Sequence, residues 1–185
     1  MADTVTRSAA RLATFIAVPI AVIVAVGVFA LVSNARSAQD PQGEPSAVSS
    51  EPVAVELPSL DEDQTVACRA LLAKLPDTAR SEQRRPVTEG AEQAAAFGDP
   101  AVTLVCGVDA PEVAPTETVY PMDGVCWVQA PGDGAAVWTT VDRQVPVAVT
   151  VPGDGAGSGE WAQAFGKIVK QQLRPLKEGV PSGCG

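Results

Sequence analysis

"VCWVQAPGDGAAVWTTVDRQVPVAVTV", residues 125–151, decides how this chain folds. Three short runs, 125–130, about 136–142 and about 145–151, read as strands, the last with its valines at every second position. A period of two belongs to a β-strand with one buried face. Pro131-Gly132-Asp133-Gly134 supplies a loop between the first two runs, and Arg143-Gln144 a tight turn before the third. Val145, Val147, Val149 and Val151 share one face of the last run. Pro146 cannot donate to a ladder and predicts an edge position for that strand. Together the runs form an antiparallel meander with one apolar face. Trp127 is expected to point away from Cys126, and Trp138 to sit on the neighbouring strand. Both tryptophans read as core aromatics rather than as a binding platform.

Upstream, "AVTLVCGV" places Val102, Leu104, Cys106 and Val108 on one face of another strand. Before it, "LDEDQTVACRALLAKLPDTAR" has acids at its start, Val66, Ala67, Leu71, Leu72 and Leu75 on one side, and Pro76 as a stop. That pattern predicts a helix of about three turns, its acids set against the positive end of the dipole and Cys68 pointing inward. "SEQRRPVTEG" reads as a polar loop, and "AEQAAAFGDP" as a short helix ended by Gly98 and Pro100. Downstream of a glycine-rich turn at 153–159, "EWAQAFGKIVKQQL" aligns Trp161, Phe165, Ile168, Val169 and Leu173 on one stripe, with Lys167, Lys170 and Gln171 opposite. Two amphipathic helices need a hydrophobic sheet face to cover. The predicted fold is α+β, a small two-layer helix-on-antiparallel-sheet domain over residues 61–185.

Residues 12–33, "LATFIAVPIAVIVAVGVFALVS", run 22 positions without a charge. Such a helix is about 33 Å long, against about 30 Å for a hydrocarbon core. Membrane helices tolerate a proline such as Pro19. The segment is read as an N-terminal transmembrane helix, a signal anchor preceded by a cytoplasmic tail of residues 1–11. Secretion after signal-peptide cleavage is the alternative, because Arg7 and Arg11 form a basic start and Ser33-Asn34-Ala35 offers small residues. The apolar run nevertheless exceeds the roughly 7–15 residues of an ordinary signal sequence. Arg7 and Arg11 precede the span, while Arg36 is followed by Asp40, Glu44 and Glu51. This asymmetry favours a cytoplasmic N-terminus and a domain outside the cell membrane. Residues 34–60, with four prolines, five serines and no periodicity, read as a flexible linker. Beyond residue 36 the chain carries 10 Lys plus Arg against 21 Asp plus Glu, net −11. So acidic a surface argues against nucleic acid and against an anionic leaflet as partners.

Cys68, Cys106, Cys126 and Cys184 all follow the span. They form no C-x-x-C pair. The chain has 0 histidines, so a zinc site would need four thiolates, which structural sites bring in closely spaced pairs. No metal and no cofactor is expected. Outside a membrane the even set predicts two disulfides. Of the three connectivities, Cys68–Cys106 and Cys126–Cys184 are favoured. The first pins an inward-facing helix position to the inner face of a strand, and the second tethers the tail "GVPSGCG" to the sheet.

The segments "CRALLAKLPDTA", "RRPV", "FGDPAVTLVCGV", "DGVCW", "TTVDR" and "VPVAVTVP" occur in order behind an N-terminal span. In this the chain resembles an actinobacterial family of membrane-anchored or secreted proteins classed as domain of unknown function 3515. The resemblance covers roughly residues 65–152. It implies cysteine as the usual residue at positions 68 and 106, which supports pairing those two. The chain departs from the family at Phe97, where tryptophan is common, and at Cys126, where an acidic or other residue is usual. A cysteine gained at 126 together with Cys184 would be an additional disulfide. The resemblance implies topology and compartment and carries no activity.

A catalytic site is not expected. Without histidine the commonest general base is gone. Neither a nucleophile elbow nor a phosphate loop occurs, and the spacing of "GDGAGSG" fits a turn. Asp99, Asp109, Asp123 and Asp142 sit where turns favour aspartate. The polar set singled out as candidate ligand-binding residues is Arg84, Arg85, Asp99 and Arg143, which could hold an anionic envelope component if they converge. The sequence thus supports a non-catalytic interaction or scaffold module with an envelope protein partner, against a ligand-binding domain built on that set.

Overall fold

The computed structural model describes residues 51–153 and 155–184. The segments expected as a cytoplasmic tail (1–11), a transmembrane helix (12–33) and the first part of a linker lie outside the described residues. Ten elements follow in chain order: α1 (Glu62–Leu72), β1 (Thr78–Ala79), β2 (Glu82–Arg85), β3 (Ala94–Phe97), β4 (Val102–Cys106), β5 (Val119–Met122), β6 (Val125–Gly132), β7 (Ala135–Thr140), β8 (Val147–Pro152) and α2 (Gly159–Gln172). The strands make one eight-stranded sheet in the order β1-β2-β3-β4-β8-β7-β6-β5. Neighbouring strands are all antiparallel.

The meander at 125–151 is present as β6, β7 and β8, and its register places Trp127 opposite Thr140 and Trp138 opposite Val149. Val147, Val149 and Val151 all face the core. β8 is not an edge strand, however. It lies between β7 and β4, and Pro146 stands one residue before its first ladder position, where its carbonyl accepts from Gly107 N at 2.8 Å. A proline on the threshold of a strand withholds no ladder hydrogen bond, so its edge signal does not apply there.

Two other segments differ from their sequence reading. "AAAF" is β3 rather than a helix, because every side chain of the run is buried between sheet neighbours and packed layers, which overrides the helix preference of alanine. "EQRR" is β2, a short charged strand near the sheet margin. Charges and brevity suit such margins because they blunt edge-to-edge pairing. β5 was hidden by its proline. It joins β6 through Asp123-Gly124, both at positive φ (51° and 75°), the two-residue turn that Asp-Gly favours.

α1 begins at a capping box: Asp61 Oδ1 accepts from Gln64 N at 2.7 Å, and Gln64 Oε1 accepts from Asp61 N at 3.1 Å. It buries Cys68, Leu71 and Leu72, with Leu75 following. Val66, expected on this face, is instead 63% exposed. α2 buries Ala162, Phe165, Gly166 and Val169, while Trp161 and Ile168 are partly buried. Both helices pack on the face of the sheet that carries Phe97, Leu104, Trp127, Trp138 and Val149. Phe97 is the aromatic centre, 5.4 Å from Phe165 and 6.5 Å from Trp161 between ring centroids.

Both expected disulfides are present, Cys68–Cys106 and Cys126–Cys184. The first ties α1 to β4 inside the main core. The second lies on the opposite face of β6, in a satellite cluster of Cys126, Val128 and Val141 covered by Val113, Val119 and Cys184.

Candidate functional site

The structure does not gather the four candidate residues into one site. Arg84 and Arg85 are successive residues of β2 and project to opposite faces of the sheet. Arg84 lies opposite Phe97 and its Nη1 donates to Leu72 O at 3.4 Å, at the carboxyl end of α1. Arg85 is buried on the other face. Its Nη1 donates to Gly98 O at 3.1 Å and its Nη2 to Glu51 O at 3.0 Å, and Asp99 Oδ1 stands 3.6 Å away. Arg143 belongs to the β7–β8 connection, and β8 is three strands removed from β2. At about 4.8 Å per strand that is roughly 14 Å across the sheet alone. Arg143 is 5% exposed, donates through Nη2 to Gly124 O, and has Asp142 Oδ2 at 3.7 Å. Each buried guanidinium therefore holds backbone carbonyls of neighbouring loops.

Two other features stand out. The first is the sheet face turned away from the helices. Alternation puts Thr103 and Val105 of β4, Ala148 and Thr150 of β8, and Val137 and Thr139 of β7 on it. All but Val105 are half-buried, neither sealed nor freely exposed. β4, β6, β7 and β8 contain no charged residue at all. The helix-covered side of these strands lacks charge because it is core. On the opposite side β6 is covered by the satellite cluster, whereas no helix covers the outer residues of β4, β8 and β7.

The second is a cavity of about 530 Å³ beside the satellite cluster, lined by Gly124, Asp142, Arg143, Lys170, Pro175, Leu176, Val180 and Cys184. The chain after α2 returns along the β7–β8 connection to form its wall. Arg143 pairs with Pro175 in an antiparallel bridge, Leu176 N donates to Asp142 O at 2.9 Å, and Gln144 N donates to Arg174 O at 3.0 Å. The Cys126–Cys184 bridge closes the tail onto β6. Sequence reasoning gave Lys170 only the solvent side of a helix and Asp142 only a turn. Their meeting depends on the path of the tail, for which periodicity carries no signal. Among the described residues no cluster of Asp, Glu and Cys is arranged to hold a metal ion.

The fold thus defines a class: a disulfide-stapled, two-layer α+β domain with helices on one face of an antiparallel sheet. The model of a family described as "Protein of unknown function (DUF3515)" matches residues 16–177, and the chain belongs to that family. No curated protein and no solved structure matches it.

Proposed function

We propose that this protein is a single-pass, membrane-anchored, non-catalytic interaction module of the cell envelope, whose domain docks on another envelope protein through the uncharged face of β4, β8 and β7. The observation that carries the reading is the absence of charge from these strands on a face that no helix covers. Beyond residue 36 the chain is strongly acidic, with 21 acids against 10 bases, so leaving this face neutral is a local exception. The face measures roughly 20 Å by 14 Å, the scale of the desolvated centre of a protein interface. Its Thr, Val and Ala side chains fit a partner surface that is likewise neutral, flat and mixed apolar and hydroxyl.

The compartment rests on sequence. An uncharged run of 22 residues at 12–33 and bases ahead of it support an anchor with the N-terminus in the cytoplasm and the domain outside. Two disulfides are compatible with that side of the membrane. Among the described residues no helix is long and apolar enough to cross a membrane, and the proposed span lies outside them.

Crosslinking in living cells, with recovery through a tag on the N-terminus, tests the module directly. The wild-type chain should capture one protein in near-equal amount. The double variant Thr139→Lys, Thr150→Lys, folded by circular dichroism, should capture at least about tenfold less, the size of effect expected from charges buried in an interface core. Equal capture by the variant rejects the face as the docking surface. No capture above background by the wild type rejects the interaction module itself.

A further inference from the structure

We infer that the Cys126–Cys184 bridge is a thiol-exchange site: a dithiol reductant opens it and unfastens the C-terminal tail, while Cys68–Cys106 stays closed. The two bridges differ sharply in access. Cys68 and Cys106 are both 0% exposed inside the main core, so no thiol reaches them unless α1 leaves the sheet. Cys126 is buried too, but its partner Cys184 is half-buried in a tail that otherwise runs over the surface. Residues 177–180, 182 and 183 are all exposed. Little else holds this tail. Among the described residues, its last hydrogen bond to the body of the domain is Leu176 N to Asp142 O at 2.9 Å. Past that point only Cys184 N to Pro181 O at 3.3 Å occurs, within the tail itself. Its apolar contacts there are few: Cys184 on the satellite cluster, Gly183 against Val119, and Gly179 and Pro181 beside Val113 and Val141 across a small cavity.

A segment with few buried contacts and no hydrogen bonds to the body opens locally, at a small fraction of the free energy of global unfolding. Local opening of the tail presents Cys184 to a thiol, whereas Cys68–Cys106 waits for the core to open. Exposed disulfides are accordingly the labile and regulatory ones. The exchange is balanced in two steps. A thiolate of the reductant attacks Sγ of Cys184 and forms a mixed disulfide, and Cys126 leaves as a thiolate that takes up a proton. The reductant's second thiolate then closes a disulfide within the reductant and releases Cys184, which is protonated in turn. Two electrons and two protons pass from the dithiol to the bridge. Release of the tail uncovers Cys126 and Val141, on the same side of the sheet as Val128 and Thr139, a directly opposed pair. The uncharged face then extends toward the start of β6. That consequence for docking rests on the function proposed above, and the exchange itself does not.

The full chain in detergent, treated with dithiothreitol and quenched with iodoacetamide at intervals, tests the site by peptide mass spectrometry. Cys126 and Cys184 should be alkylated at least about a hundredfold faster than Cys68 and Cys106, as for local against global opening. Similar rates for the two bridges, or the reverse order, overturn the proposal. Cys184→Ser, at a half-buried tail position, removes the bridge without a reductant and should fold by circular dichroism. Its Cys126 should then react with iodoacetamide in native buffer. Reaction only in denaturant means that the tail stays in place, and overturns its role as a strap. In the crosslinking assay the same variant should capture at least about threefold more partner than the wild type, as for some tens of Å² of added apolar contact. Equal capture with a reactive Cys126 overturns the link to docking, and no capture by either chain rejects the docking face while the exchange rates still decide the strap.

Discussion

Two adjacent threonines show how differently one residue type behaves on the two faces of a strand. Thr140 is fully buried, and its Oγ1 accepts from Val147 N at 3.0 Å, closing the β7–β8 connection from inside. Thr139 lies on the uncharged outer face and is half-buried. Thr140→Val keeps the shape and removes the acceptor, so a buried N–H loses its partner. The expected cost is about 1–3 kcal/mol, against less than about 0.5 kcal/mol for Thr139→Val. Urea midpoints of the two variants measured side by side check this, and equal midpoints would refute the assignment of Thr140 as a connector. Alternation already places Thr140 on the side of Trp138. That its oxygen serves the backbone of residue 147 follows from the shape of the connection, which spacing does not encode.

At the scale of elements, the two disulfides look alike in sequence and differ in setting. Their separations are 38 and 58 residues, and chain entropy assigns each loop about 4 kcal/mol, slightly more to the longer one. Packing reverses that order. Cys68 and Cys106 are both completely buried and join α1 to β4 within the main core, so Cys68→Ala with Cys106→Ala also empties packed volume. Cys184 is only half-buried, and its bridge secures a tail over a satellite cluster. Guanidinium unfolding should show the Cys68/Cys106 pair costing at least about 4 kcal/mol and the Cys126/Cys184 pair distinctly less. A larger loss from the second pair would mean that the tail supports the main core. The same contrast between local signal and setting explains which elements were legible. α1, α2, β7 and β8 are legible because each turns one side to the core and the other outward. β3 is buried on both sides and made mostly of alanine, so its four residues show neither period. β2 and β5 are marginal strands, marked by charge and by Pro121; the first reads locally as loop, and the second carries no strand signal of its own.

At the scale of the whole molecule, the extent of the folded domain was the least legible feature. Residues 51–60 have the composition of a spacer, yet they lie along the domain. Val53 pairs in parallel with Val87, with Val53 N donating to Pro86 O at 2.9 Å and Thr88 N to Val53 O at 3.0 Å. Pro58 O accepts from Gln93 Nε2 at 2.8 Å, and Glu51 O accepts from Arg85. Leu57 and Leu60 rest where Gly90 and Gly107, both at positive φ, leave room. A Cβ at either glycine would come within 2.2 Å of the leucine. An isolated glycine in a sequence says nothing about which distant leucine will cover it, and a strand of mixed Pro, Glu and Val has no period of its own. The boundary expected at residue 61 therefore moves to residue 51, and about ten residues expected in the linker, some 33 Å if fully extended, belong to the domain. This has a direct consequence for stability. A fragment of residues 61–185 loses two backbone hydrogen bonds, one partner each of the buried Arg85 and Gln93 side chains, and the cover of two leucines. It should be about 2–4 kcal/mol less stable than residues 47–185. Urea denaturation of the two fragments, both with disulfides intact, decides it. A lower midpoint for the shorter one makes residues 51–60 part of the domain, and coincident midpoints would show that they add nothing to its stability.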